Sequence, residues 1–188
     1  MRSPVIAVLA AFAFGVAMPA FSAPSTPGIA TSADAAKSYV LGVGDVIRVE
    51  VHGESDLTLE TQLPALGTID YPFLGTVRAA GLTVDQLQSR LAQGLRGDYL
   101  VNPEVRVRVV TYRPFFVRGQ VKNSGGYPYV LGLTVEKAAT MAGGFTDRAS
   151  LKNIFLIREH ATQNQKVKVG LDSGIAPGDT IIVEESLF

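Results

Sequence analysis

Few side chains of this sequence could bind a transition metal or act as an activated nucleophile. The chain has two histidines, His52 and His160, and no cysteine, so thiolate chemistry is excluded. Neither histidine lies in a recognisable nucleophile motif, and we interpret both as surface residues. The sequence therefore predicts no catalytic residue, no metal site and no cofactor.

Two pairs of neighbouring carboxylates raise the question of glycoside hydrolysis, in which two acidic side chains flank the bond that is cleaved. The pairs are Glu54 with Asp56, and Glu184 with Glu185. Their spacing does not require either pair to converge on one cleft, and solvated loop or strand-edge charges explain both. A carbohydrate-active enzyme stays open as an alternative, to be decided by an assay of sugar-chain cleavage.

Four arginines form the most distinctive polar group. Arg106 and Arg108 alternate with valines over residues 104–111, the period of a half-buried strand, so burial of the valines turns both arginines outward. Arg113 and Arg118 follow near the proposed junction of two units. A solvated strand face or salt bridges between subunits would explain all four without a ligand.

The elements that carry these residues are short strands and two helices. Period-two alternation and interruption by proline and glycine predict strands in the first half at 45–51, 57–63, 69–77 and 104–111. Thr83 followed by Gln86 has the spacing of a capping box and predicts a helix that ends at Gly94 or Gly97. In the second half, the same patterns predict strands at 115–121, 127–131, 154–158, 166–171 and 180–184, with a turn at 124–126 and a helix at 134–141.

Two sequence echoes relate the halves. Gly-Leu-Thr-Val-Asp at 81–85 returns as Gly-Leu-Thr-Val-Glu at 132–136, each at the start of a predicted helix, and the Gly-Asp pair at 44–45 returns at 178–179 before a strand. Two small α+β domains, divided near 112–114, are the economical interpretation. Shared turn chemistry without common ancestry is the alternative.

The N-terminus has the features of a secretory signal. Arg2 precedes an apolar run over 5–16 that is too short to span a bilayer, and small residues follow near Ser22. We predict a signal peptide over 1–22 and a flexible linker over 23–38, which is rich in Ala, Pro, Ser and Thr. Because lipid attachment at the N-terminus of an exported bacterial protein needs a cysteine, we expect that this protein is not a lipoprotein.

The charge balance is neutral, with 17 Lys and Arg against 17 Asp and Glu. It lacks the basic excess typical of proteins that bind a phosphate backbone, which argues against a nucleic-acid partner. No later apolar stretch is long enough to cross a membrane. We expect the mature part to fold around its own core in the periplasm.

Ordered motifs in both halves resemble a known family. The motifs of the first half are similar to the N-terminal domain of the outer-membrane polysaccharide export family: YVLGVGDVIRVEV (39–51), GTIDYPFLG (67–75), AGLT (80–83) and NPEVRV (102–107). The motifs of the second half resemble the soluble-ligand-binding β-grasp (SLBB) domain that follows it: VRGQV (117–121), GGYPY (125–129), LTV (133–135), AGG (142–144) and PGDTIIV (177–183).

The resemblance implies a polysaccharide export domain over 39–112 and an SLBB β-grasp domain over 113–188. It implies a non-catalytic subunit of a homo-oligomeric ring, periplasmic and associated with the outer membrane, that guides a capsular polysaccharide or exopolysaccharide with an inner-membrane co-polymerase as partner. Larger members carry a C-terminal pore helix, whereas this sequence ends at Phe188 after the last predicted strand. We therefore expect a separate outer-membrane pore component, such as a β-barrel protein.

Within such a ring, Arg106, Arg108, Arg113 and Arg118 are the candidates for facing the polymer, since they would attract an acidic polysaccharide without binding it tightly. Four aromatic side chains could stack on sugars or belong to the core: Tyr71, Phe73, Tyr127 and Tyr129. The alternative function is a monomeric periplasmic β-grasp module that binds a sugar or a small ligand. Mass measurement at several concentrations separates the two.

Overall fold

The computed structural model describes residues 39–159 and 165–186. The predicted signal peptide (1–22), the predicted linker (23–38) and His160 lie outside the described residues. In chain order, the elements are β1 (Val46–Val51), β2 (Glu54–Gln62), β3 (Thr68–Tyr71), β4 (Gly75–Arg78), α1 (Val84–Leu95), β5 (Val105–Thr111), β6 (Phe115–Gly119), β7 (Gly125–Tyr127), α2 (Val135–Met141), β8 (Ala149–Ile157), β9 (Lys166–Val169) and β10 (Thr180–Glu185).

The first sheet is antiparallel, with the strand order β2-β1-β5. Along β1, Ile47, Val49 and Val51 are buried and the residues between them are half-buried, which confirms the predicted period of two. Helix α1 packs against β5, and the β3-β4 hairpin lies beside β2. The hydrophobic side of this small sheet is thereby covered by one helix and one hairpin.

Helix α1 begins at the predicted capping box. Thr83 Oγ1 accepts a hydrogen bond from the Gln86 amide at 3.2 Å, and Gln86 Oε1 accepts one from the Thr83 amide at 2.9 Å. The helix continues through Gly94 and ends before Gly97, whose φ is +92°. Gly94 is needed for space, because a Cβ there would come within 2.9 Å of the Leu74 side chain. Of the two predicted stop signals, Gly97 is therefore the correct one.

The second sheet has the order β7-β6-β10-β8-β9, with β10 parallel to β6 and the other pairs antiparallel. Helix α2 begins after Thr134, close to the predicted start, and the Thr134 hydroxyl accepts from the Lys137 amide. The helix buries Val135 and Ala138 against this sheet. A mixed five-stranded sheet with its first and last strands side by side, packed on one helix, is the expected β-grasp arrangement.

Two predicted strands need correction. The strand predicted over 127–131 is wrong, because the residues that pair with β6 are Gly125–Tyr127, and Pro128 has no amide hydrogen to extend the ladder. Strand β8 begins at Ala149, well before the predicted start at 154, because Ala149 pairs with the far end of β10 beyond a register shift. The first difference is local, because β7 pairs with the preceding strand β6 and stops before Pro128, whereas the second comes from pairing with β10, which is remote in sequence.

Each sheet carries its own hydrophobic cluster. The first cluster contains inward residues of β1, β5 and α1, such as Ile47 and Leu91, and the second contains those of β6, β8, β10 and α2, such as Phe115 and Ile181. The chain is therefore an α+β fold of two units, as predicted. Among the described helices, none has the length and apolar character needed to cross a bilayer.

Candidate functional site

The candidate arginines of β5 lie where the sequence predicts. Arg106 and Arg108 are exposed, whereas Val105 and Val107 are buried. Arg108 Nη2 lies 2.7 Å from Glu50 Oε1 on the neighbouring strand β1. An exposed pair of this kind contributes about 0–1 kcal/mol to stability, so it arranges charge on the sheet surface more than it holds the fold together.

Arg106 and Arg118 make no ion pair with any residue of the described ranges. Arg118 is exposed on β6, in the second sheet, so the two arginines belong to different units. Both guanidinium groups are accessible to a ligand or to a neighbouring subunit. That they face a polymer stays a prediction.

Arg113 differs from the other three because it is buried at the junction of the two units, where the whole residue is 5% exposed. Its Nη1 lies 3.2 Å from Asp45 Oδ2, its Nε donates to Glu159 Oε2 at 2.5 Å, and its backbone amide donates to Asp45 Oδ1 at 2.8 Å. Burial acts to lower the pKa of Arg113, but Tyr39, Glu159 and Asp45 outweigh burial and raise it. In the described chain this charge connects the units and is not offered to a polymer.

Tyr39 completes the junction. Its hydroxyl donates to Asp45 Oδ2 at 2.6 Å and accepts from Arg113 Nη1 at 2.6 Å. Burial, together with the hydrogen bond to Asp45, raises the pKa of Tyr39 far above its usual value, so the hydroxyl keeps its proton. Tyr39 also lies edge-on to Tyr112 with ring centroids 5.0 Å apart, and Tyr112 lies edge-on to Tyr129 at 5.5 Å. The junction thus combines a polar core with a chain of aromatic contacts.

Two glycines make room for this network. A Cβ at Gly42 would overlap the Arg113 guanidinium, and a Cβ at Gly178 would overlap the Glu159 carboxylate. Gly178 also has a φ of +84°, a conformation that favours glycine. Gly42 is required for space alone, which makes it the more informative position for substitution.

The Gly-Asp echo is one turn used twice. The Gly42 amide donates to Asp45 Oδ2 at 2.8 Å, and the Ala176 amide donates to Asp179 Oδ2 at 2.8 Å. Both aspartates are buried; Asp45 pairs across the junction, and Asp179 Oδ2 lies 2.7 Å from Arg158 Nη1. Burial raises the pKa of Asp179 although the Ala176 amide and Arg158 act to lower it. The two Gly-Asp segments that are similar in sequence therefore form the same turn, with the same hydrogen bond from an amide to the aspartate.

An open cleft of about 800 Å³ lies between the β1-β2 hairpin, the start of β5 and α1. Its lining is polar and includes Arg106 with Glu50, His52, Gln88 and Glu104. The cleft offers hydrogen-bond donors and acceptors, but it holds no nucleophile paired with a base. Over 39–159 and 165–186, no three His, Asp or Glu side chains come together in a way that could hold a metal ion. The arrangement suits contact with a hydrated ligand.

The two predicted carboxylate pairs differ in the structure. Glu184 Oε1 lies 3.5 Å from Lys166 Nζ, and Glu185 pairs with Arg148, so these two acids are engaged separately. The other pair, Glu54 and Asp56, lines one open groove together.

The four candidate aromatic residues also separate. Tyr71 belongs to the core; its hydroxyl donates to the Leu57 carbonyl at 2.7 Å, and burial raises its pKa to about 12. Tyr127 and Tyr129 are partly buried and pack against the second core. Phe73 is exposed, so it is the candidate with an accessible ring.

Comparison with protein families accounts for both units. Residues 33–110 match the profile of the family described as polysaccharide biosynthesis/export protein, and residues 114–169 match the SLBB domain. The chain belongs to the polysaccharide export family. The export domain precedes the SLBB domain, in the order that the sequence motifs indicate.

Three named proteins are similar to parts of this chain. The exopolysaccharide production protein ExoF of Rhizobium meliloti is 29% identical over 121 residues, which cover 58% of this chain and 29% of ExoF. The EPS I polysaccharide export outer membrane protein EpsA of Ralstonia nicotianae is 24% identical over 174 residues, 78% of this chain and 45% of EpsA. The polysialic acid transport protein KpsD of Escherichia coli is 30% identical over 156 residues, 77% of this chain and 28% of KpsD. The chain spans less than half the length of each.

Sequence reasoning missed the partners of Arg113, namely Tyr39, Asp45 and Glu159. The Gly-Asp echo marked Asp45 as a turn residue, but aspartate is common in turns that face solvent. Only the contact with Arg113, which is 68 positions away, distinguishes a buried charge from an exposed one.

Proposed function

We propose that this chain is a non-catalytic periplasmic subunit of a conduit that exports a capsular polysaccharide or an exopolysaccharide, and that it forms an oligomeric ring that guides the polymer across the outer membrane. The observation that carries the proposal is the tandem match to a polysaccharide biosynthesis/export domain and an SLBB domain. The names of the relatives, which concern exopolysaccharide production, polysaccharide export and polysialic acid transport, support a glycan as the cargo.

The chemistry of the described side chains supports guiding in preference to catalysis. The buried charges Arg113, Asp45 and Asp179 are all paired, so none is held unpaired as a reactive group would be. The accessible polar groups, including Arg106 in the 800 Å³ cleft, lie on open surfaces. In the proposed function no bond is made or broken. An assay for cleavage of purified exported polymer tests this, and release of shorter sugar chains would contradict it.

A closed ring needs contact between unlike surfaces of each subunit. The face of the second sheet opposite α2 offers one such surface. Thr180 pairs with Phe116 on one side and Ile157 on the other, and paired residues share a face, so these three form one outward row. Phe116 is 47% exposed there. None of the helices in residues 39–159 and 165–186 covers this face, so an exposed aromatic side chain there supports a contact with a second copy of the chain.

The proposed partners are the polysaccharide, further copies of this chain, an inner-membrane polysaccharide co-polymerase and an outer-membrane pore component. The proposed location is the periplasm, in association with the outer membrane. The co-polymerase and the pore component rest on the family resemblance, and cross-linking in intact cells followed by identification of the linked proteins tests both.

The decisive measurement for the ring is the mass of the exported, processed chain at several concentrations. We expect a discrete multiple of the monomer mass, and we expect Phe116→Glu to return it to the monomer. Val130→Glu is the matched control, because Val130 is an exposed apolar residue of the same unit that lies outside the sheet. A monomer at every concentration would favour the alternative of a single β-grasp binding module. Deletion of the gene should trap polymer inside the envelope.

A further inference from the structure

The turn between β3 and β4 holds an aromatic side chain at a position that favours glycine. The Leu74 amide donates to the Tyr71 carbonyl at 3.1 Å, Pro72 is the second residue of the turn, and Phe73 is the third, with a φ of +67°. Proline at the second position and a positive φ at the third define a type II turn, whose third position is usually glycine. The turn directs the Phe73 ring outward, where it is 61% exposed.

Phe73 lies against a second exposed ring, Tyr99. The ring centroids are 4.8 Å apart, the ring planes are inclined by 24°, and Tyr99 is 46% exposed. The two rings line an open groove of about 540 Å³ together with the carboxylates of Glu54, Asp56 and Asp98 and the apolar residues Leu57, Pro72 and Leu100. Within the described ranges no ion pair engages any of these carboxylates. Asp56 Oδ1 accepts one long hydrogen bond from the Ser55 hydroxyl at 3.4 Å, and both residues are exposed, so the carboxylates can still accept from a ligand.

The base of this groove is rigid. The Tyr71 hydroxyl, at the end of β3, donates to the Leu57 carbonyl of β2 at 2.7 Å, and both residues are buried. Asp56 is adjacent to Leu57 on β2, and Phe73 follows Tyr71 by two positions. This buried hydrogen bond holds the end of β3 against β2, and so the backbone positions that carry Phe73 and Asp56, which favours a preorganised binding site.

A pyranose ring has an apolar face of C–H groups and a rim of hydroxyl groups. Aromatic planes bind apolar faces, and ionised carboxylates accept hydrogen bonds from hydroxyls. We propose that Phe73 and Tyr99, with Asp56 and Asp98, bind an uncharged sugar residue of the transported polysaccharide. The same carboxylates repel a uronic or sialic acid residue, so the site selects neutral sugars. This inference rests on the proposed function for the origin of the glycan.

The test is a titration of the full processed chain with soluble hexasaccharides, followed through the NMR signals of the Phe73 and Tyr99 rings. The neutral probes are cellohexaose and maltohexaose, and the acidic probe is hexagalacturonate. We expect saturable shifts with at least one neutral probe, at a dissociation constant of about 1 mM. We expect no saturable shift with the acidic probe.

The variant Phe73→Gly separates binding from folding, because glycine suits the third position of the turn. Its melting temperature should stay within about 5 °C of the parent, while its affinity for the neutral probe falls about tenfold or more. Leu66→Ala is the matched control, since it removes another exposed apolar side chain from the same unit and should leave the affinity unchanged. Asp98→Asn should allow the acidic probe to bind.

Two results would overturn the inference: no saturable shift with either neutral probe, or unchanged affinity in Phe73→Gly. If Phe73→Gly changes the mass of the assembly and leaves the sugar titration unchanged, the aromatic pair is a subunit contact and the inference is wrong. The ring is tested separately through Phe116, so failure of sugar binding leaves the proposed function standing. If the chain is monomeric but still binds the neutral probe, the proposed oligomeric ring is wrong and the proposed sugar site stands.

Discussion

Arg113 and Asp45 lie 68 positions apart in the sequence and form a buried ion pair at the junction of the two units. Their side chains are 6% and 0% exposed, and Arg113 Nη1 lies 3.2 Å from Asp45 Oδ2. Charges buried this deeply persist only when they are paired and hydrogen-bonded. Tyr39 and Glu159 supply the further hydrogen bonds. This polar cluster therefore helps to hold the two units together, beside the aromatic contacts of Tyr39, Tyr112 and Tyr129.

Removal of the Arg113 side chain should be strongly destabilising. In Arg113→Ala, Asp45 is left as a buried carboxylate without its cation, and we expect the free energy of unfolding to fall by about 3–5 kcal/mol. Urea unfolding followed by circular dichroism measures this. Arg108→Ala is the control, because it breaks an exposed pair with Glu50 and should cost about 0–1 kcal/mol. Equal losses in the two variants would contradict the structural role of Arg113.

Gly42→Ala should disturb the same cluster through space alone. The added Cβ would overlap the Arg113 guanidinium, so either the arginine or the turn must move. We expect a loss of about 1–3 kcal/mol in unfolding free energy, the usual cost of inserting an atom into a packed site. Gly125→Ala is the matched control, since a Cβ at Gly125 meets no atom within 4 Å. The idea fails if the Gly125 variant loses as much stability as the Gly42 variant.

Alkaline pH should weaken the fold through Tyr71. Burial raises its pKa from 10.0 to about 12. Between these values the unfolded chain has released the proton and the folded chain retains it, so the free energy of unfolding falls as the pH rises, by at most about 1.4 kcal/mol per pH unit. Chemical unfolding at several values between pH 8 and 11 measures the slope.

Tyr71→Phe should reduce the slope by the contribution of Tyr71 and leave that of Tyr39, whose pKa is also raised by burial. The variant should also be less stable than the parent by about 1–3 kcal/mol below pH 10, because the buried Leu57 carbonyl loses its donor. Tyr99→Phe serves as control for the loss of a phenol hydroxyl, since its ring is exposed and the change should leave the stability below pH 10 at the parental value. If the unfolding free energy of Tyr71→Phe falls with pH as steeply as that of the parent, groups other than Tyr71 cause the alkaline response.

The accessible arginines should control attraction of acidic polymers. Arg106 and Arg118 are exposed and make no ion pair among the described residues, so reversal of both charges should weaken retention of an acidic polysaccharide about tenfold at low salt. In about 1 M salt the difference should vanish, because charges are then screened within about 3 Å. Affinity electrophoresis in gels that contain the polymer measures both.

The control for this experiment is Arg90→Glu, which reverses an exposed charge on α1, outside the candidate group. It changes the net charge in the same direction without touching either strand. If Arg90→Glu weakens retention as much as each single reversal of Arg106 or Arg118, the effect follows net charge and the strand arginines have no special position.

Local patterns were sufficient for much of the fold. The alternation of β1, the capping box of Thr83, the helix start at Thr134, and the outward position of Arg106 and Arg108 are all confirmed. Each depends on residues within a few positions of one another, so the side-chain period or a single hydrogen bond decides it. The ordered motifs also sufficed to indicate the family, because the family profiles are themselves patterns of sequence.

Long-range packing decided the rest. The sequence does not distinguish Arg113 from Arg118, yet Arg113 is buried against Asp45 and Arg118 is exposed on β6. Tyr71 and Phe73 are two positions apart, yet one enters the core and the other meets Tyr99 at the surface. Burial is a property of the assembled units, since the partner that covers or pairs a side chain can lie anywhere in the chain. The sequence states which residue occupies each position, whereas only the fold determines which other residues surround it.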